Sequence, residues 1–133
     1  MSAVRLSDFM FLRMWPRELF KKKNETGKLL INLQVPELKR PGVYVLYRGD
    51  ELYYVGKATN LYSRLHAHSN MATDDYYAHW TYFSAFALTE AVPNPHEKIT
   101  ELEAILIAAM PRATNRSTPR FNRVRIPRSL LGD

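Results

Sequence analysis

The chain has no cysteine in its 133 residues. That excludes a disulfide, a thiol nucleophile and a cysteine-held zinc site, and it fits a reducing compartment. No apolar run approaches the ~18 residues a membrane span needs, so no span is expected. The opening stretch MSAVRLSDFMFLRMWPRELF is interrupted by Asp8 and Arg13 and is followed by no small-residue cleavage site, so it does not read as a secretory signal. The expected location is therefore the cytoplasm, with no membrane partner. Internal repeats and low-complexity tracts are also absent.

Hydrophobic residues make up 46% of the chain, which points to a globular domain rather than a disordered one. The length suits one domain with a core of its own. Nineteen basic residues against thirteen acidic ones leave a net charge of +6, a balance that suits a polyanionic partner. The excess is uneven. Between Arg112 and Arg128 there are six arginines and no acid. Pro111, Pro119 and Pro127 exclude a regular helix there. Taken alone, such a segment reads as a solvated basic tail, and Lys21 to Lys23 as an even less specific cluster.

Ser7 and Asp8 are placed to cap a short helix through Met14, which Pro16 would interrupt. NETGK reads as a loop, and LLINLQV as a short strand or an extended packing arm. GVYVLYR and ELYYVG are strand-like runs joined by the turn dipeptide Gly49-Asp50. In ATNLYSRLHAHS, Thr59 or Asn60 can cap a helix. Leu61, Arg64, Leu65 and His68 fall on one stripe of that helix. MATDDYY reads as a loop and HWTYFSAFAL as a third strand. Asn94 and Pro95 then open an apolar helix, HEKITELEAILIAAM. This order predicts an α+β domain in which a small central three-stranded antiparallel sheet is flanked by helices. Residues 1–40 form an N-terminal extension that packs on the domain or docks for it, and residues 123–133 a basic C-terminal tail.

One residue conflicts with the apolar pattern. Ile99, Leu102, Leu106 and Met110 trace the buried stripe of the last helix, and Glu103 lies on the same stripe. A carboxylate there either reaches water or a lysine at the stripe's edge, or holds a hard cation such as Mg²⁺.

These pieces together resemble the GIY-YIG nuclease domain family. Gly42-Val43-Tyr44 and Tyr54-Val55-Gly56 are similar to its two signature tripeptides, with valine in place of isoleucine in both. Arg64 matches the family's arginine on the following helix, and His68 the Tyr or His one turn later. Glu103, in EAILI, matches its helical glutamate, and Asn122, in PRFN, its late asparagine. Lys57 matches a lysine common in the branch that includes the excision-repair nuclease subunit. The resemblance runs from Pro41 to Asn122. It implies an endonuclease that hydrolyses phosphodiester bonds in nucleic acid, DNA by family expectation, with one divalent ion, Mg²⁺ or Mn²⁺. The alternative is a catalytically inactive or partner-dependent nucleic-acid-binding module.

The implied roles suit the residue types. Glu103 would hold the metal ion. Arg64 would neutralise charge on the phosphate. Tyr44 and Tyr54 are both candidates for the water-activating base, needing a cation such as Lys57 or the metal to lower a phenol that normally loses its proton near pH ~10. His68 would relay a proton or orient a tyrosine. Asn122 would line the site. Arg112, Arg116, Arg120, Arg123 and Arg125 are candidates to grip the nucleic acid. Docking falls either to residues 1–40 with this arginine segment or to a targeting protein, and a second copy of the chain would allow paired cuts. His66, Tyr47, Tyr53 and Tyr62 are read as packing or surface residues.

Strand parity tests the pairing of the tyrosines. A strict two-residue turn would set Arg48 opposite Glu51 and Val45 opposite Tyr54, leaving Tyr44 and Tyr54 on opposite faces. A shared site requires a three-residue loop or a bulge near Gly49.

Overall fold

A computed structural model describes residues 4–70, 79–90 and 92–109. Its elements, in chain order, are β1 (Phe9–Pro16), α1 (Leu30–Gln34), β2 (Gly42–Arg48), β3 (Glu51–Ala58), α2 (Leu61–Asn70), β4 (Tyr82–Leu88) and α3 (Pro95–Ala108). Short 3-10 turns at Leu6–Asp8, Arg17–Lys21 and Pro36–Lys39 join them. The strands form one antiparallel sheet in the order β1-β4-β2-β3. The α+β class is as expected, but the sheet has four strands, not three.

The fourth strand comes from the segment read as a capped helix. FMFLRMWP is an apolar run broken only by Arg13, which periodicity alone cannot assign. In the fold it completes the open edge of β4, pairing Phe9 with Leu88 and Leu12 with Ala85. Its side chains then alternate. Leu12 enters one core, while Phe11 stacks on Phe86 across the other face with ring centroids 4.8 Å apart. Leu30–Gln34, expected as a strand or an extended arm, is a single helical turn that buries Ile31 and leaves Leu33 exposed. Five residues are too few for a helical period to declare itself. The segment read as a loop at residues 71–77 lies outside the described residues.

Two cores lie on opposite faces of the sheet. Tyr44, Leu46, Phe83, Ala85 and Ala87 pack against Leu61 and Leu65 of α2, with Phe20, Ile31 and Leu38 of the N-terminal segment filling in. Val43, Val45, Val55 and Leu88 pack against Ile99 of α3. Pro95 takes the first helical position of α3, as expected; Asn94 precedes it in a left-handed conformation at φ 51° and makes no side-chain cap. Lys98 in the first turns of α3 is buried and meets Asp8 Oδ2 at 2.8 Å. The hydrogen bond from Lys98, with a second from the Arg5 backbone, holds the Asp8 carboxyl below its ordinary value. Among the described residues no helix is long and apolar enough to cross a membrane.

The N-terminal segment supplies Leu12, Phe20, Ile31 and Leu38, all at most 6% exposed. At about 1.5–3 kcal/mol for each fully buried apolar side chain, their loss is comparable with the roughly 5–15 kcal/mol stability of a domain. A fragment beginning at Arg40 is therefore expected to lose cooperative unfolding in a urea titration followed by circular dichroism. A transition at the full-length midpoint would show that the segment is an accessory instead.

Candidate active site

The β2–β3 hairpin resolves the parity problem with a bulge. The turn is the two-residue one, with Arg48 opposite Glu51 and Gly49 at φ 64°. A primed hairpin turn requires a positive φ at this position, which glycine adopts without steric cost. Tyr47 pairs with Leu52, but Leu46 pairs with Tyr54, so Tyr53 is the extra residue. The Arg48 guanidinium lies over the Tyr53 ring, 5.0 Å from its centroid. The one-residue shift turns Tyr54 onto the face that carries Leu46 and Tyr44. The Tyr44 and Tyr54 rings end 6.0 Å apart.

Tyr44 is opposite Gly56, and its phenol lies directly over that glycine. A Cβ on residue 56 would overlap the Tyr44 hydroxyl and ring. Tyr44 is fully buried, and its Oη lies 2.8 Å from Nε2 of His68, which is only 3% exposed. Asn60 fixes the start of α2, its Oδ1 accepting the Ser63 N–H at 3.0 Å, while Leu61 N–H donates to Arg40 O at 3.1 Å. Of the two cap candidates, Asn60 thus makes the bond. Burial, then the neighbouring Tyr54, pushes the Tyr44 phenol well above its ordinary value. Arg64, which approaches the same hydroxyl, opposes that shift without cancelling it. Tyr44 is a neutral phenol in the resting protein, and the cation beside it is Arg64 rather than Lys57.

Lys57 projects from β3 on the other face, beside Val43 and Val55, and its Nζ donates to Thr100 Oγ1 of α3 at 3.3 Å. Glu103 is one helical turn further along α3. It is half-buried, and desolvation raises its carboxyl above the ordinary value, with the Lys57 charge opposing. Because β3 is the edge strand, side chains from both faces meet at its rim. There a cleft of about 380 Å³ is lined by Lys57, Thr59, Asn60, Ser63 and Arg64. Arg64 and Lys57 thus put two cations on one concave surface, while Tyr44, Tyr54 and His68 stand behind Arg64.

The carboxylate fits a hard cation. Burial leaves Glu103 short of compensating charge, which an ion would supply. No group of three or more His, Asp or Glu side chains stands together among the described residues. A metal ion there would draw on the Glu103 carboxylate, with water and phosphate oxygens able to complete its shell, a coordination Mg²⁺ accepts. Asn122, Arg112, Arg116, Arg120, Arg123 and Arg125 lie outside the described residues. His66 turns away from the site and stacks on Tyr62 at 5.6 Å, and Tyr62 also packs on Phe20. Sequence reasoning missed Thr100, which only the contact between β3 and α3 singles out. It also missed Trp80, whose indole N–H donates to the His68 carbonyl at 3.0 Å.

An antiparallel sheet with helices packed on both faces is consistent with the fold of one nuclease family. The family model of the GIY-YIG catalytic domain matches residues 40–115, more than half of the chain, and the chain belongs to that family. No curated protein and no solved structure matches it.

Two outcomes follow from the geometry. Gly56→Ala should destabilise the protein by about 1–3 kcal/mol, the usual cost of overpacking a core, measured as a lower urea midpoint. Glu103 has a folded value above its unfolded one, so ionising it costs folding stability as pH rises through that raised value. Glu103→Gln should accordingly melt at the same or a higher temperature than wild type at pH 7. That difference should vanish below the ordinary value of 4.5, where the carboxyl is protonated in both states. A clearly lower melting point at pH 7 would mean that Lys57 outweighs desolvation.

Proposed function

We propose that the protein is a metal-dependent endonuclease that hydrolyses phosphodiester bonds in DNA through a single-metal site. The observation that carries the reading is the meeting, at the rim of β3, of a buried Tyr44–His68 hydrogen bond, two cations lining one cleft and a desolvated carboxylate. The cleft suits a phosphodiester: it is concave, basic and bordered by the start of a helix.

Hydrolysis needs an activated water, stabilisation of added negative charge and help for the leaving oxygen. Glu103 would hold the ion, Mg²⁺ or Mn²⁺, which would supply polarisation of the phosphate and assistance to the leaving group. The Arg64 fork takes phosphate oxygens and stays charged throughout. Lys57 adds a second positive charge to the cleft wall. Tyr44 and Tyr54 act as a unit. Tyr44 is the phenol bonded to His68, so a proton taken from the attacking water leaves through Tyr44 to His68 Nε2, whichever phenol faces the water. This route also answers the raised Tyr44 value, because the phenol need not be ionised beforehand if its proton moves as the new one arrives. The Asn122 amide donates to a phosphate or a tyrosine oxygen.

Backbone phosphates outside the cleft are gripped by Arg112, Arg116, Arg120, Arg123 and Arg125, giving salt-sensitive binding without base reading. Choice of target falls to a partner protein or to a second copy of the chain. The working compartment is the cytoplasm.

Supercoiled plasmid incubated with the protein should be nicked with Mg²⁺ or Mn²⁺ and left intact with EDTA. Glu103→Ala should reduce nicking by roughly two orders of magnitude or more, because it removes several kcal/mol of charge stabilisation. Intact plasmid with a folded wild type, alongside salt-sensitive binding in a gel shift, would favour an inactive binding module.

A further inference from the structure

Arg17 precedes the residues that match the family, yet it reaches the helix that carries His68. Its Nη2 donates to the Ser69 carbonyl at 3.0 Å and its Nη1 to the Trp80 carbonyl at 3.3 Å. The guanidinium centre lies 5.4 Å from the centroid of the Trp80 ring. Trp80 is 1% exposed, and its Nε1–H donates to the His68 carbonyl at 3.0 Å. The carbonyls of His68 and Ser69 belong to the last turn of α2, which ends at Asn70. Carbonyls in the last turn of a helix generally lack intrahelical donors and attract positive charge. Trp80 and Arg17 supply donors for two of them and place a cation where the helix dipole favours it.

The last turn matters because His68 is in it. Its backbone carbonyl is held by Trp80 while its Nε2 meets Tyr44, so the residue is fixed at both ends. A helix end without such partners frays, and fraying would carry the imidazole away from the phenol. We infer that Arg17 and Trp80 are positioning residues, which hold the last turn of α2 so that His68 Nε2 stays within hydrogen-bond reach of Tyr44. Neither side chain touches substrate. The inference rests on the nuclease reading for its effect on rate, but not for its effect on His68.

Trp80→Phe keeps the ring and removes the indole N–H. Arg17→Lys keeps the charge and removes the planar fork that serves two carbonyls and a ring at once. Two readouts apply: the imidazole resonances of His68 in the protein without ligand, and kcat and KM for nicking of supercoiled plasmid with Mg²⁺. Leu88→Ala is the control, a fully buried residue in the other core, on the α3 side. In both positioning variants the His68 resonances should shift, and kcat should fall about 10- to 100-fold, the scale of a small misplacement, with KM unchanged. Leu88→Ala should lower the melting temperature and leave the His68 resonances in place. Unchanged His68 resonances in Arg17→Lys and Trp80→Phe would overturn the inference. So would an equal loss of kcat in Leu88→Ala, since that traces the effect to general instability. If Trp80→Phe does not fold, Arg17→Lys decides alone. If the wild type does not nick DNA, the nuclease reading fails, and the His68 resonances still decide the positioning.

Discussion

The hydrogen bond between Tyr44 Oη and His68 Nε2, 2.8 Å long and shut away from solvent, joins the sheet to the helix packed on it. A buried polar pair is costly unless each partner is satisfied, so the surrounding structure must deliver both groups to one point. To reach His68, the Tyr44 ring crosses the neighbouring strand, which is possible only where that strand has no Cβ. Gly56 meets this requirement. The bulge at Tyr53 then brings Tyr54 to the same face, and the Asn60 cap fixes where α2 begins. Each feature has its own local cause, yet none would serve a purpose without the bond they converge on.

The edge position of β3 explains the chemistry of the rim. An interior strand is covered on both faces, and residues on opposite faces never meet. At the edge they do: Arg64 arrives with α2 from one face, while Lys57 and, on α3, Glu103 lie on the other. A lysine on an edge strand also discourages pairing with another sheet, so Lys57 protects the fold while it charges the cleft. Glu103 works the other way. Its carboxyl sits in surroundings that disfavour its charge, and Lys57 compensates only in part. Such a carboxylate costs folding stability while it is ionised.

The tyrosine pair, the helix after it and the glutamate on the last apolar stripe were legible because each broke or fitted a short-range pattern: tripeptides on two strands, a stripe of period 3.6, a charge where apolar residues belong. The need for a register shift was also legible, since parity allows only two answers, although the sequence did not say that Tyr53 would supply it. Three things were not legible. Strand β1 is an apolar run whose state depends on the unpaired edge of β4, a tertiary fact. Leu30–Gln34 is too short for a helical period to repeat visibly. The side on which Lys57 projects depends on the same bulge, so the cation beside Tyr44 is Arg64. In each case the deciding contact joins residues far apart in the chain.

The N-terminal segment shows what such distant contacts accomplish. The two helices that carry the site lie on opposite faces of the sheet, and α2 and α3 cannot brace one another through it. A segment that runs along the edge opposite β3 can reach both. Just before β1, Asp8 holds Lys98 in the first turns of α3, little more than one turn from Glu103. Just after β1, Arg17 holds the last turn of α2, where His68 lies. The strand between them is the shortest path from one face to the other around that edge, and its pairing with β4 keeps the two anchors at a fixed separation. Residues preceding the family match thus grip both helices from the side away from the cleft. That leaves the rim of β3, among the described residues, free of contacts from the anchoring segment.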